Sequence, residues 1–212
     1  MLDLKKGIPL IDQCDSDGFW GPFGGTQVAE SLIHPINELT DAFEKLRYDK
    51  SFLAERDFYF NNHIGSPTPF IKLENLTKHL GGAQIYCKLV SKATGGAHKA
   101  YNALVHCLIA KRLGKDYIGG DTGAGYAGKM LAMYSALTGL KAKIFMGSKD
   151  IERQALNVFS MKSYGAEIVP VSSGSQTLVD AVSASMRWWT SENASSHLAV
   201  GSTVGPTIFV RI

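Results

Sequence analysis

From residue 84 onward the chain alternates short apolar segments with helical ones, and this alternation constrains the fold more than any other feature of the sequence. Residues 84–89, 117–120, 142–146 and 168–171 read as strands, and 197–200 as a last one. Between them, 98–112, 126–137, 152–164 and 178–189 carry helical apolar spacing. Strands separated by helices of roughly ten to fifteen residues imply right-handed βαβ units and a mostly parallel sheet. The expectation is an α/β fold with ligands at the carboxyl ends of the strands, where the Gly-rich loops of this chain fall.

The N-terminal part is built differently. Residues 1–27 read as an irregular lead-in around the turn Phe19-Trp20-Gly21-Pro22-Phe23-Gly24-Gly25. From Val28 to about Arg56, Leu32, Ile33, Ile36, Leu39, Phe43 and Leu46 recur at helical steps, with a bend expected near Pro35. Gly65-Ser66-Pro67-Thr68-Pro69 is a turn or extended segment, because its prolines fix φ and restrict the residues before them. No repeat and no Pro/Ser-rich linker divides the 212 residues.

A net charge of +3, with basic residues spread along the chain, excludes a nucleic-acid surface. Cys14, Cys87 and Cys107 form no C-x-x-C pair, which fits a reduced setting and supplies no metal site. Lys5 and Lys6 are followed by no apolar signal region, and the longest mostly apolar stretch, 130–140, is too short to cross a bilayer. A cytoplasmic protein without membrane contact is expected, in which the N-x-S/T triplets at Asn75 and Asn193 are chance matches.

Two loops could carry chemistry. In Thr94-Gly95-Gly96-Ala97-His98-Lys99 small residues let the backbone approach a ligand, and the helix start offers N–H groups to an anion. The Lys99 amine is a nucleophile suited to an aldehyde cofactor, and His98 could donate to a phosphate. The plain alternative is a Gly-rich helix entry with a solvated lysine. In Gly120-Asp121-Thr122-Gly123-Ala124-Gly125, consecutive N–H groups and the Thr122 hydroxyl could form a concavity for a carboxylate or phosphate. Asp121 at the strand end is a candidate general acid or base. The same stretch continues as a literal G-x-G-x-x-G, Gly123 to Gly128, with Asp150 as a passable ribose partner. Spacing alone leaves an anion loop and an NAD-binding loop both open.

Other candidates have ordinary explanations. Glu152 and Arg153 read as the opening of a helix, where an acid complements the dipole. Trp188-Trp189 reads as helix packing. His34, His63, His79, His106 and His197 are scattered, with no i, i+4 pair.

Together these motifs resemble the tryptophan synthase β-chain family. Gly24-Gly25 with Glu30, Gly65-Ser66-Pro67-Thr68-Pro69, Gly95-Gly96-Ala97-His98-Lys99 and Thr122-Gly123-Ala124-Gly125 each match a family motif. The run Glu152-Arg153-Gln154-Ala155-Leu156-Asn157-Val158-Phe159 is similarly family-specific, and Gly165-Ala166-Glu167, Ser173-Gly174-Ser175 and Thr177-Leu178 continue the agreement. The resemblance implies the three-layer αβα N-terminal domain of the type II pyridoxal-phosphate fold across 1–212, with a mobile βα subdomain at about 114–200. It implies pyridoxal 5′-phosphate as cofactor and replacement of the L-serine hydroxyl by indole to give L-tryptophan. Lys99 would hold the cofactor and move the α-proton, and His98 would contact the phosphate. Asp121 would be a catalytic residue, and Thr122, Gly123, Ala124 and Gly125 would grip the substrate carboxylate. A tryptophan synthase α-type subunit and a second copy are the implied partners.

Three departures bear on that activity. The family has a glutamate where this chain has Asp121; one methylene less retracts the carboxylate by about 1.5 Å, and a misplacement of ~1 Å can cost roughly a hundredfold in rate. Gln-His-Gly is replaced by Tyr126-Ala127-Gly128, and the usual Lys-Arg-Glu-Asp-Leu by Lys88-Leu89-Val90-Ser91-Lys92. The family's phosphate cup, in a second domain, is expected to be missing. A non-catalytic relative that binds a partner chain therefore stands beside the enzyme reading.

Overall fold

The computed structural model describes residues 5–203 and 205–212; the first four residues of the expected lead-in lie outside them. A small antiparallel hairpin comes first, β1 (Phe19–Trp20) against β2 (Phe23–Gly24). Two helices follow, α1 (Ile33–Leu46) and α2 (Lys50–Tyr59). Pro35 does not bend them. It is the third residue of α1, in the first turn, where its missing N–H costs no intrahelical bond. The break falls at Asp49, whose carboxylate accepts the Phe52 N–H at 2.7 Å and caps α2.

Next come β3 (Phe70–Lys72), α3 (Glu74–Leu80) and β4 (Tyr86–Lys88). The alternation places the segment 84–89 in the parallel sheet, but β4 pairs antiparallel with β3 in a separate two-stranded sheet. Tyr86 and Lys88 are exposed, whereas a strand of a parallel sheet is covered on both faces.

The remaining elements are α4 (Lys99–Arg112), β5 (Tyr117–Thr122), α5 (Tyr126–Thr138), β6 (Lys141–Gly147), α6 (Ser148–Arg153), α7 (Ala155–Ser163), β7 (Glu167–Val171), α8 (Leu178–Glu192), β8 (Ser196–Ala199) and α9 (Thr207–Arg211). The four strands form one parallel sheet in the order β7-β6-β5-β8. Gly119 lies under Trp188 of α8, where a Cβ would stand 2.0 Å from the ring, and Gly120 lies under Leu131 of α5 at 2.6 Å. Successive residues of a strand face opposite sides, so α5 and α8 cover opposite faces and the architecture has three layers. The larger core joins Leu104, Leu108 and Ile109 of α4 to Ile118, Met130, Tyr134, Ile144 and Leu198. A smaller one under α8 joins Phe145, Val171 and Ala181, so Ile144 and Phe145 serve different cores.

The expected helix over 152–164 is two helices. Gln154 leaves helical geometry at φ −116°, ψ 35°, and its carbonyl accepts the N–H of both Asn157 (2.9 Å) and Val158 (3.1 Å) to restart the helix. Glu152 and Arg153 therefore close α6 instead of opening a helix, and Arg153 lies 3.6 Å from Asp150. Trp189 is buried, with its Nε1 donating to the Ser196 carbonyl at 3.4 Å. Lys115 ties α1 to the end of α8, donating to Glu38 at 2.7 Å and to the carbonyls of Asn193 and Ala194 at 3.1 and 3.3 Å. No helix among the described residues is long and apolar enough to cross a membrane.

Candidate active site

The strand order turns at β5, with β6 and β7 on one side and β8 on the other. Open parallel sheets bind ligands outside the carboxyl ends of the strands at such a point. A cavity of about 430 Å³ opens there. Lys99 of α4, Asp121 and Thr122 of β5, Gly123 and Ala124 of the next loop, and Tyr126 and Ala127 of α5 line it. A further wall is the stripe Leu178, Val182 and Met186 of α8, and Val200, Gly201 and Ser202 close the cavity beyond β8. Its size falls in the range of roughly 300–1,000 Å³ usual for small-molecule sites, and its walls join one primary amine and one carboxyl group to an apolar surface.

Lys99 opens α4, and its Nζ donates to the Gly201 carbonyl. Asn102 lies beside the same residue, its Oδ1 2.9 Å from where a Gly201 Cβ would stand. Burial holds the Asp121 carboxyl above the usual carboxylate range, while its own backbone N–H and the Lys99 charge pull the other way. A carboxyl that keeps its proton more readily is suited to protonating a leaving group. Thr122 is buried, and its Oγ1 accepts the Gly128 N–H at 3.3 Å, so the hydroxyl also fixes the first turn of α5.

Not every expected residue reaches the cavity. Gly125 stands behind it with φ +83°, against Asn157 of α7, and is not one of the lining residues. His98 precedes α4 as an exposed residue and does not line the cavity. Gly128 is held by packing, since a Cβ there would stand 2.7 Å from Met161 Sδ and 2.8 Å from Ile144.

Tyr126, one of the departures, bridges the two loops. Its hydroxyl is buried, makes no well-formed hydrogen bond among the described residues, and packs on Gly95, where a Cβ would stand 3.0 Å from that hydroxyl and 2.4 Å from Met130 Sδ. Burial raises the Tyr126 phenol, and the neighbouring Ala97 backbone N–H only partly opposes this. Lys129 sits over the ring, Nζ to centroid 5.5 Å. The phenol thus fills the space between the lysine loop and the Thr122–Gly125 loop.

The sequence reading missed the α8 wall, although the four-residue steps between Leu178, Val182 and Met186 were a usable signal. It also missed the pairing of His106 and His197, 91 residues apart, whose Nδ1 and Nε2 atoms lie 2.8 Å from each other in the core between α4 and β8.

A family model described as pyridoxal-phosphate dependent enzyme matches residues 62–201. Among solved structures the chain is similar to a pyridoxal 5′-phosphate-dependent aspartate racemase, with 16% identity and a TM-score of 0.54 over 83% of this chain and 47% of that one. It is also similar to serine racemase from Dictyostelium discoideum, with 13% identity and a TM-score of 0.55 over 74% of this chain and 47% of that one. These two are likenesses of fold, and the chain spans about half the length of either structure.

Proposed function

Because the chain belongs to the pyridoxal-phosphate-dependent enzyme family, whose cofactor is pyridoxal 5′-phosphate, we propose that its cavity is the lysine side of a β-replacement centre of the tryptophan synthase β type. The reaction is L-serine plus indole to L-tryptophan plus water. One observation carries this reading: the Lys99 amine, the Asp121 carboxyl and the Thr122–Ala124 loop share one cavity with the apolar stripe of α8.

Lys99 would hold the cofactor aldehyde, and the first N–H groups of α4 would take its phosphate, with His98 beside them but outside the cavity. The bound cofactor supplies an electron sink for the pair released at the substrate α-carbon. Lys99, released from the cofactor by the substrate amine, would take the α-proton and return it to the product, and Asp121 would give a proton to the departing serine hydroxyl and recover one from indole C3 as the new C–C bond forms. The N–H groups of the Thr122–Gly125 loop hold the substrate carboxylate. Leu178, Val182 and Met186 offer a flat apolar co-substrate such as indole a surface without polar competition. Movement of residues 114–200, which carry the β5, α5 and α8 walls, against Lys99 and Gly201 would keep water from the reacting atoms.

The test is to supply the purified protein with pyridoxal 5′-phosphate, L-serine and indole and to follow tryptophan by chromatography. Lys99-dependent tryptophan supports the reading. Tryptophan made equally by a Lys99→Ala variant, or none from wild type that binds cofactor, overturns it. A second reading, a non-catalytic relative docking an α-type subunit or a second copy, is favoured by Leu156 and Phe159, side by side on α7 and 85% and 71% exposed.

A further inference from the structure

The Thr122–Gly125 loop is held from behind by one side chain. The Asn157 Nδ2, from the first turn of α7, donates to the Ala124 carbonyl at 2.8 Å, and the same nitrogen lies 3.3 Å from Gln154 Oε1. Gly125 rests on this residue so closely that a Cβ would stand 2.6 Å from Asn157 Cβ. The loop therefore touches α7 twice, through a hydrogen bond and through a steric stop.

We infer that Asn157 is a positioning residue that aims the loop's backbone N–H at a substrate carboxylate. In a trans peptide the C=O and the following N–H point in opposite directions. Tethering the Ala124 carbonyl toward α7 therefore turns the Gly125 N–H away from α7. The cavity walls come from α4, β5, α5, α8 and the segments that follow β5 and β8, and no described α7 residue is among them. Ala124 itself lines the cavity while Gly125 stands behind it against α7, so the peptide between them, with its carbonyl tethered to α7, turns its N–H side toward the ligand. Gln154 completes the device by engaging the Asn157 amide from the break between α6 and α7. Without the tether the peptide is free to rotate, because Gly125 with φ +83° has no side chain to resist the turn.

The inference rests on the reading of this loop as the carboxylate holder, and the experiment separates the two. Amide ¹H–¹⁵N shifts of Gly123, Ala124 and Gly125 are followed while L-serine or L-serinamide is titrated into wild type, Asn157→Ala and Asn157→Asp. The near-isosteric Asn157→Asp replaces the donor with an acceptor, and unchanged dispersion of the remaining resonances shows that each variant is folded. The expected result is that wild-type loop amides respond to serine and not to serinamide, while both variants need about tenfold more serine. Equal titrations in wild type and variants overturn the role of Asn157 and leave the loop assignment standing. A wild-type loop that ignores serine overturns the loop assignment, and the role of Asn157 falls with it.

Discussion

The Nζ of Lys99 donates to the carbonyl of Gly201, joining the first residue of α4 to a residue 102 positions later, just beyond β8. The contact parks the amine inside the cavity, beside Asn102. Gly201→Ala would place a Cβ 2.9 Å from Asn102 Oδ1 and 3.4 Å from the Lys99 Nζ. Cofactor capture is expected to weaken by roughly tenfold, equivalent to ~1.4 kcal/mol. A spectral titration measures this, and unchanged affinity would show that the contact does not position the amine.

Asp121 and Lys99 also act on each other through charge. Removing the amine with Lys99→Met leaves burial unopposed by the Lys99 charge, so the Asp121 carboxyl should titrate at a still higher pH than in wild type. Carboxyl ¹³C shifts against pH give the comparison directly. A downward move would mean that the two groups do not sense each other in this way.

Gly125→Ala meets two penalties at once, a left-handed φ of +83° and a Cβ 2.6 Å from Asn157 Cβ. A loss of about 1–3 kcal/mol in stability is expected. The midpoint of urea unfolding reports it, and a shift within error would place the loop in a different conformation.

The buried His106–His197 pair makes stability depend on pH. Burial holds His106 down at about 4, with the nearby Val200 carbonyl only partly offsetting this, and burial together with His106 and Lys115 holds His197 well below its usual value. In the unfolded chain both rings take up protons near the ordinary value of about 6.5. Between these limits the unfolded state binds more protons, so stability is complete above about 6.5 and is lost as pH falls toward 4. The His106 contribution is on the order of 3 kcal/mol. His106→Gln, which can still hydrogen-bond to His197, should flatten the curve of unfolding free energy against pH. An unflattened curve would place the titration elsewhere.

What the sequence disclosed follows from the range of the interactions involved. The strands β5 to β8 and the helices between them were legible because period and Gly-rich loops are local signals. Lys99, Asp121 and Thr122 were legible because each sits where a strand or loop meets a helix. The antiparallel pairing of β4 with β3 was not, since Tyr86 and Lys88 are as apolar or polar as many buried strand residues and only their exposure decides. Gln154 as a helix break was hidden because nothing in its side chain forbids helix. The Asn157–Ala124 bond, the His106–His197 pair and the Lys99–Gly201 contact join residues 33, 91 and 102 positions apart. No local pattern records them.

The central claim is that this cavity captures an aldehyde cofactor through Lys99. The most direct measurement is the visible absorption spectrum of the purified protein with pyridoxal 5′-phosphate, beside a Lys99→Ala control. A new visible band in wild type that is absent from the control, and that changes when L-serine is added, is the predicted result. No new band, or the same band in both proteins, would contradict the claim.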